Sequence, residues 1–366
     1  MRASPLPSRA LLSRGEWRTL GVSTSRMAGD DLVTVFPRFL TPAAEPATLN
    51  EMCRVLQQHV LPGAVISHTT AALLYGIPIP WWEDREIGLL ADGAARSGAR
   101  HLVIPSTLPV PEKPGAAPSE PRRFERLTTP PLLQCRVEAA SPHRAGPHVV
   151  VHRKAPSPTF TLGGLKLSHP NVVLLELATS LEHDEIVIAL DAFEKRRPRF
   201  PFRGVTLERL ARELARCDGM PGIPALRRAL LDARPNTDSP GETRTRLLLR
   251  RAGFPEPALN LRVMDPDTGR PRYIDLAYPE LRIGVEYDGD GHRVTKDQWR
   301  QDQGRQDTLE SAGWMIRRLT SWDIAKPERF LSALRRSFLA VGALAPSARN
   351  WTGIAAEKLA RPLRRP

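Results

Sequence analysis

The sequence predicts a multidomain α/β (α+β) protein, and three observations predict it. The chain has 366 residues, more than one ordinary core accommodates. A polar, proline-bearing break at Arg234-Pro235-Asn236-Thr237-Asp238-Ser239-Pro240-Gly241 separates two stretches of different texture. Beyond it, the apolar pattern alternates between helical and strand periods in the order α-β-β-β-α-β-α. With 41% hydrophobic and 25% charged residues, the composition is that of a globular chain and excludes a disordered one.

Residues 1–45 are expected to form a small N-terminal module. Gly21-Val22-Ser23 reads as a turn, with Ser23 placed to cap a short helix over Thr24 to Asp30. Leu32 to Phe36 and Arg38 to Leu40 then read as the strands of a wing, the order a winged helix-turn-helix needs. Residues 46–232 are expected to be an α/β domain with proline-rich loops. Thr48 to His59 is an amphipathic helix with Leu49, Met52, Cys53 and Leu56 on one face. Ser67 to Gly76 is a capped helix ended by glycine, and Glu86 to Leu90 and His101 to Pro105 are strands. Pro105 to Pro158 is dense in proline and arginine and is expected to be mostly loop, interrupted by a strand at Val149 to His152. Helices follow at Asn171 to Leu181 and Asp184 to Phe193.

Residues 233–240 are the linker, 241–342 the C-terminal domain and 343–366 a basic tail. Thr243 to Ala252 is a helix closed by Gly253. Pro257 to Val263, Arg272 to Ala277 and Leu281 to Tyr287 are strands, with Tyr278-Pro279-Glu280 as a hairpin turn. A polar helix from about Lys296 to Ala312, a strand from Trp314 to Thr320 and a helix from Pro327 to Val341 complete the order.

The net charge of +13 favours a polyanionic partner such as nucleic acid. A GC-rich coding bias towards arginine, alanine, proline and glycine would give the same surplus. Cys53, Cys135 and Cys217 are isolated from one another and odd in number, which argues against a zinc ribbon or a disulfide framework. The arginine-bearing start has no apolar run of signal-peptide length, and no stretch reaches a membrane span. A cytoplasmic protein without a membrane partner is the expectation.

Strand alternation in Leu281 to Asp288 sends Leu281, Ile283, Val285 and Tyr287 to one side and Arg282, Gly284, Glu286 and Asp288 to the other. The preceding strand carries Asp275 between Ile274 and Leu276, and a tight turn would bring it beside Glu286. Three converging carboxylates repel unless a cation neutralises them. Mg²⁺, or Mn²⁺ in its place, takes oxygen ligands and keeps waters, so Asp275, Glu286 and Asp288 are the candidate metal ligands. The plainer alternative ends a strand at Asp275 and puts Glu286 and Asp288 on a solvated face.

Asp275, a ten-residue interval, Glu286-Tyr287-Asp288-Gly289 and then His292 resemble the core of the PD-(D/E)XK nucleases. More narrowly, they resemble the very-short-patch-repair endonuclease-like branch. The resemblance covers residues 238 to 341. It implies a restriction-endonuclease-like fold, metal held by Asp275 and Glu286, and a first-helix acid at Glu242. Gly313 to Leu319 matches a later core strand. The general motif's lysine is absent and Asp288 stands in its position; His292 is the natural substitute as base or donor. As a lone histidine after a glycine turn it also reads as an ordinary surface residue. Arg293, Lys296, Arg300 and Arg305 are candidate phosphate contacts, with a solvated helix face as the simpler reading. The catalytic set implied is Asp275, Glu286, Asp288, His292 and Glu242.

The front half resembles AbiEi-type antitoxins through the winged-helix order, Ile66 to Pro78 and Ile186 to Ala192. That implies a DNA-binding module followed by an α/β domain, and no catalytic residue. His68 is expected to cap or pack. The leading functional expectation is a metal-dependent DNA endonuclease. The alternative is a non-catalytic DNA-binding regulator whose nuclease fold is silent, and a third reading is a toxin–antitoxin partner acting by protein contact.

Overall fold

The computed structural model describes residues 5–79, 133–138, 145–146, 148–196, 206–215, 219–265, 268–288, 309 and 312–353. Among these the protein is a mixed α/β chain with three sheets. It divides into two compact units, with the boundary between Leu181 and Glu182. The expected strands at 86–90 and 101–105, most of the expected helix at 296–312, Cys217 and the tail beyond 353 lie outside the described residues.

In the first unit, β1 (Leu12–Ser13) runs into α1 (Arg14–Thr19) through a capping box. Ser13 Oγ accepts the Glu16 amide at 3.3 Å, and the Ser13 amide donates to Glu16 Oε2 at 2.7 Å. Gly21, at φ +78°, reverses the chain, and Ser23 caps α2 (Thr24–Ala28) by accepting the Arg26 amide at 3.2 Å. A hairpin follows, β2 (Leu32–Phe36) and β3 (Phe39–Pro42), and β3 also pairs with β1. Trp17 fixes this module: it is fully buried among Val22, Met27, Leu32 and Leu40, and its indole N–H donates to the Leu40 carbonyl at 3.1 Å.

Next, α3 (Leu49–Val55) buries Met52 and Cys53 and continues as a π-helical turn over Leu56–Val60. A five-stranded sheet in the order β6-β5-β4-β8-β7 follows. Its strands are β4 (Val65–Ile66), β5 (Leu133–Val137), β6 (Val149–Arg153), β7 (Thr159–Leu162) and β8 (Leu165–Ser168). The helices α4 (His68–Leu74) and α5 (Pro170–Leu177) belong to the same unit. The β6 strand forms where expected. The other four strands of this sheet, β4, β5, β7 and β8, do not figure in the sequence reading. β5 lies in the stretch taken as loop, because Gln134 and Arg136 break its apolar run although all five of its residues are buried. The β7–β8 hairpin turns on Gly163-Gly164, both at positive φ, a two-residue turn of the kind that alternating TFTL and LKLS flanks should have signalled.

In the second unit, α6 (His183–Arg196), α7 (Leu207–Leu214) and α8 (Ile223–Asp232) precede α9 (Pro240–Ala252). Ionic contacts join α9 to the earlier helices. Arg246 is fully buried and reaches Asp191 at 3.3 Å and Glu256 at 3.2 Å. Arg244 pairs with Glu185, Arg250 with Asp232, and Arg251 with Asp184. Gly253, at φ +90°, closes α9.

The sheet of this unit has the order β12-β11-β10-β9. Its strands are β9 (Ala258–Met264), β10 (Pro271–Tyr278), β11 (Ile283–Tyr287) and β12 (Met315–Leu319). The expected hairpin turn between β10 and β11 is a 3₁₀ turn over Pro279–Leu281 followed by Arg282 at φ +51°, so β11 starts two residues later than the alternation suggested. β11 pairs antiparallel with β10 and parallel with β12. After β12 come α10 (Ser321–Ala325) and α11 (Glu328–Ala340). One face of the sheet packs Leu276, Tyr278, Ile283 and Val285 against Leu248, Leu249, Leu334 and Phe338. The other face is apolar too, with Ile274, Ala277, Leu309 and Trp314 clustered there. Among the described residues no helix is long and apolar enough to cross a membrane.

Candidate functional site

The register Tyr278↔Ile283, Ala277↔Gly284, Leu276↔Val285 sets Asp275 and Glu286 at the next positions along β10 and β11. There a side chain enters the ladder: Asp275 Oδ2 accepts the Tyr287 amide at 3.0 Å. Asp275 is half-buried, Glu286 is 8% exposed, and Asp288 is half-buried one residue past the end of β11. The Asp288 amide donates to the Leu319 carbonyl at 2.8 Å, which ties the ends of β11 and β12 together. Glu286 stands opposite Arg318 in the parallel register, and Arg318 Nε donates to Glu286 Oε2 at 3.3 Å.

Two glycines let these elements close up. A Cβ on Gly284 would lie 2.6 Å from Ile316 Cδ1 and 2.9 Å from Ile274 Cγ2, so the strand bearing Glu286 is packed tightly on that face. A Cβ on Gly241 would overlap the Tyr287 ring. The first turn of α9 therefore rests directly on the end of β11. Glu242 comes next in that turn and is 7% exposed. Its Oε2 accepts the Asp238 amide and its Oε1 the Ser239 hydroxyl, both at 2.8 Å. Burial raises the Glu242 carboxyl to about 7; the Asp238 amide bond opposes that rise, and the negative charge of Asp275 adds to it.

Three of the expected acids, Glu242, Asp275 and Glu286, thus gather at one end of the sheet, with Asp288 just beyond. Glu242 and Asp275 are close enough to interact electrostatically. Glu286 is buried and ion-paired, not solvated. Among the described residues, no group of three or more His, Cys, Asp or Glu side chains is arranged to hold a metal ion. His292, Arg293, Lys296, Arg300 and Arg305 lie outside the described residues. Arg318 was missed by sequence reasoning: its alternation partner on β11 is not deducible without the parallel register.

A second polar cluster, in the first unit, also escaped the sequence. His68 opens α4 at φ +51°, and its amide donates to Glu176 Oε2 at 2.9 Å. Its ring stacks on His152 with centroids 3.6 Å apart, and His152 Nε2 lies 2.9 Å from Gln134 Oε1. Glu176 Oε1 accepts the Ser168 hydroxyl at 2.9 Å, and that hydroxyl accepts Arg136 Nε at 2.9 Å. Burial lowers the basicity of both imidazoles, His152 to about 4 and His68 further. His68 packs, as expected of it, but as half of a stacked pair.

Compared with protein-family models, with curated proteins and with solved structures, the chain matches none.

Proposed function

We propose that the second unit is a metal-dependent endonuclease that hydrolyses phosphodiester bonds in DNA, of the very-short-patch-repair-like PD-(D/E)XK type. The observation that carries this reading is the meeting of Glu242, Asp275 and Glu286 from three different elements at one sheet end, with like-charge coupling between two of them. An all-carboxylate set suits a hard cation, so Asp275, Glu286 and Asp288 would hold Mg²⁺ or Mn²⁺ once Glu286 gives up Arg318 and the three side chains turn towards one another, which they do not do in the described structure. When bound, that ion would supply Lewis acidity towards a phosphate oxygen and an acidified water. The Tyr287 amide orients the Asp275 carboxylate. Burial, with the negative charge of Asp275 adding to it, raises the Glu242 carboxyl to about 7, which suits it to carry a proton beside the site. His292 is proposed as the proton-transfer residue in place of the motif's lysine. The N-terminal helix–turn–helix with its hairpin is proposed as a winged helix that recognises DNA, in an AbiEi-like front half.

Cleavage of supercoiled plasmid with Mg²⁺ or Mn²⁺, against EDTA, tests the reading with wild type and Asp275→Ala. Metal-dependent nicking that the variant loses is the expected result. Equal cleavage by wild type and an Asp275→Ala, Glu286→Ala double variant overturns it. The second reading, a DNA-binding regulator with a silent nuclease fold, is favoured by one contact: Arg318 occupies Glu286 where a metal would compete. No cleavage by any variant, with DNA binding retained, selects it.

A further inference from the structure

At the same sheet end an aromatic ring stands in water. Trp322 is 65% exposed, the most exposed aromatic side chain among the described residues. A ring this exposed has area to offer a ligand, and covering it would be favourable. It belongs to α10, which begins where β12 ends. Asp323 fixes that start by accepting both the Thr320 amide and the Thr320 hydroxyl at 2.9 Å. Trp322 lies three positions along the chain from Leu319, whose carbonyl takes the Asp288 amide. At 3.8 Å per residue, the Trp322 Cα therefore lies within about 11 Å of the Leu319 Cα. That distance corresponds to about three stacked nucleotides at 3.4 Å each.

The ring already carries a cation. Lys326 Nζ lies 4.3 Å from its centroid. An aromatic face to receive a base and an ammonium to meet the backbone are the two elements of a single-strand contact. The chain's surplus of 13 positive charges favours the same polyanionic class of ligand.

We propose that Trp322 and Lys326 form a base-stacking contact for unpaired nucleic acid, next to the carboxylates of Asp275, Glu286 and Asp288. The ligand is a single-stranded or locally unpaired nucleotide, because a base inside an intact duplex has no free face to offer the ring. This deepens the nuclease reading by naming its substrate class, and it rests on that reading only for the role of the neighbouring site.

The test is fluorescence anisotropy of labelled oligothymidine and of a duplex of equal length, at fixed salt and in EDTA, with the full-length chain. Wild type is expected to hold the single strand more tightly than the duplex. Trp322→Ala is expected to weaken single-strand binding by about fivefold or more, and the duplex little. Trp322→Phe retains most of the single-strand affinity, which separates stacking from mere bulk. Single-strand binding unchanged in Trp322→Ala, or single-strand and duplex weakened alike, overturns the inference. Because EDTA removes catalysis, a failure of the nuclease reading in the plasmid assay leaves this outcome untouched. Conversely, nicking lost in Asp275→Ala alongside unchanged binding by Trp322→Ala sinks this inference alone.

Discussion

Arg246 and Asp191 meet at 3.3 Å with both side chains shut away from water, 0% and 2% exposed. Asp191 also accepts the Thr243 hydroxyl and the Arg234 amide, each at 2.8 Å, so three groups from α9 and the segment before it converge on one carboxylate. A buried pair of this kind adds little net stability over an apolar pair, but breaking it strands a charge. Arg246→Ala is expected to destabilise the second unit by about 3–5 kcal/mol in urea unfolding. An Asp191→Leu, Arg246→Met double variant is expected to recover most of that loss. A double variant as unstable as the single would show that the charge itself, and not its isolation, matters.

Glu242 gives stability a pH dependence. Its folded carboxyl lies at about 7, above the ordinary 4.5, so the folded state binds the proton more tightly. The stabilisation is complete below about pH 4.5 and is lost as pH rises through about 7. In EDTA, Glu242→Gln is expected to remove this slope. At about pH 8 the variant should exceed wild type by an amount on the order of 2–3 kcal/mol, which thermal melts across that range would read. Parallel wild-type and variant curves would refute the assignment.

The two glycines of the site should respond differently to a methyl group. At Gly284 the nearest obstruction is Ile316 Cδ1, a side-chain end that can rotate away, followed by the branch methyl of Ile274. At Gly241 the obstruction is the Tyr287 ring itself, held between α9 and the end of β11. Gly284→Ala is expected to destabilise by about 1–3 kcal/mol, and Gly241→Ala by more. Gly241→Ala should also shift the intrinsic fluorescence of Tyr287 and weaken any activity that depends on Glu242. Equal losses of stability for the two variants would contradict the ranking.

Acid should weaken the first unit. His68 and His152 are held neutral by burial, with folded pKa values below the ordinary 6.5. The unfolded chain therefore binds more protons, and stability present above about pH 6.5 is lost as pH falls through about 4. The slope approaches about 2.7 kcal/mol per pH unit while both groups contribute, at about 1.36 kcal/mol per proton. His152→Phe keeps a ring against His68 but has no proton to bind. It is expected to lower stability at neutral pH and to halve the acid slope; an unchanged slope would place the titration elsewhere.

Much of the second unit was legible because its elements follow local rules. Gly253 closes α9 where expected, although the helix capped by Ser239 starts three residues before the expected Thr243; β10 and β11 alternate in period two, and Asp275 and Glu286 fall at adjoining positions once the turn between them is short. The 3₁₀ turn moved the start of β11 by two residues and lengthened the turn, and it is the resulting register, Tyr278↔Ile283, that sets Asp275 across from Glu286. What stayed hidden depends on contacts distant in sequence. Nothing near Glu286 announces Arg318, which arrives through a parallel pairing with a strand some thirty residues on. The His68–His152 stack joins a helix start to a strand more than eighty residues away, and β5 between them was masked by its buried glutamine and arginine. In the first module, by contrast, the Ser23 cap and the turn at the positive-φ Gly21 were read correctly, since each acts within four residues.

The arginine row of α9 changes what the arginine content of the chain can mean for binding. Arg244, Arg246, Arg250 and Arg251 each already face a carboxylate. A cation neutralised inside the protein displaces no counterions from a phosphate backbone, and only displaced counterions give binding its steep response to salt. The logarithm of affinity should therefore fall with the logarithm of salt less steeply than the arginine content suggests. Neutralising any α9 arginine should leave that gradient as it was, and the counterion release must originate on other surfaces of the molecule.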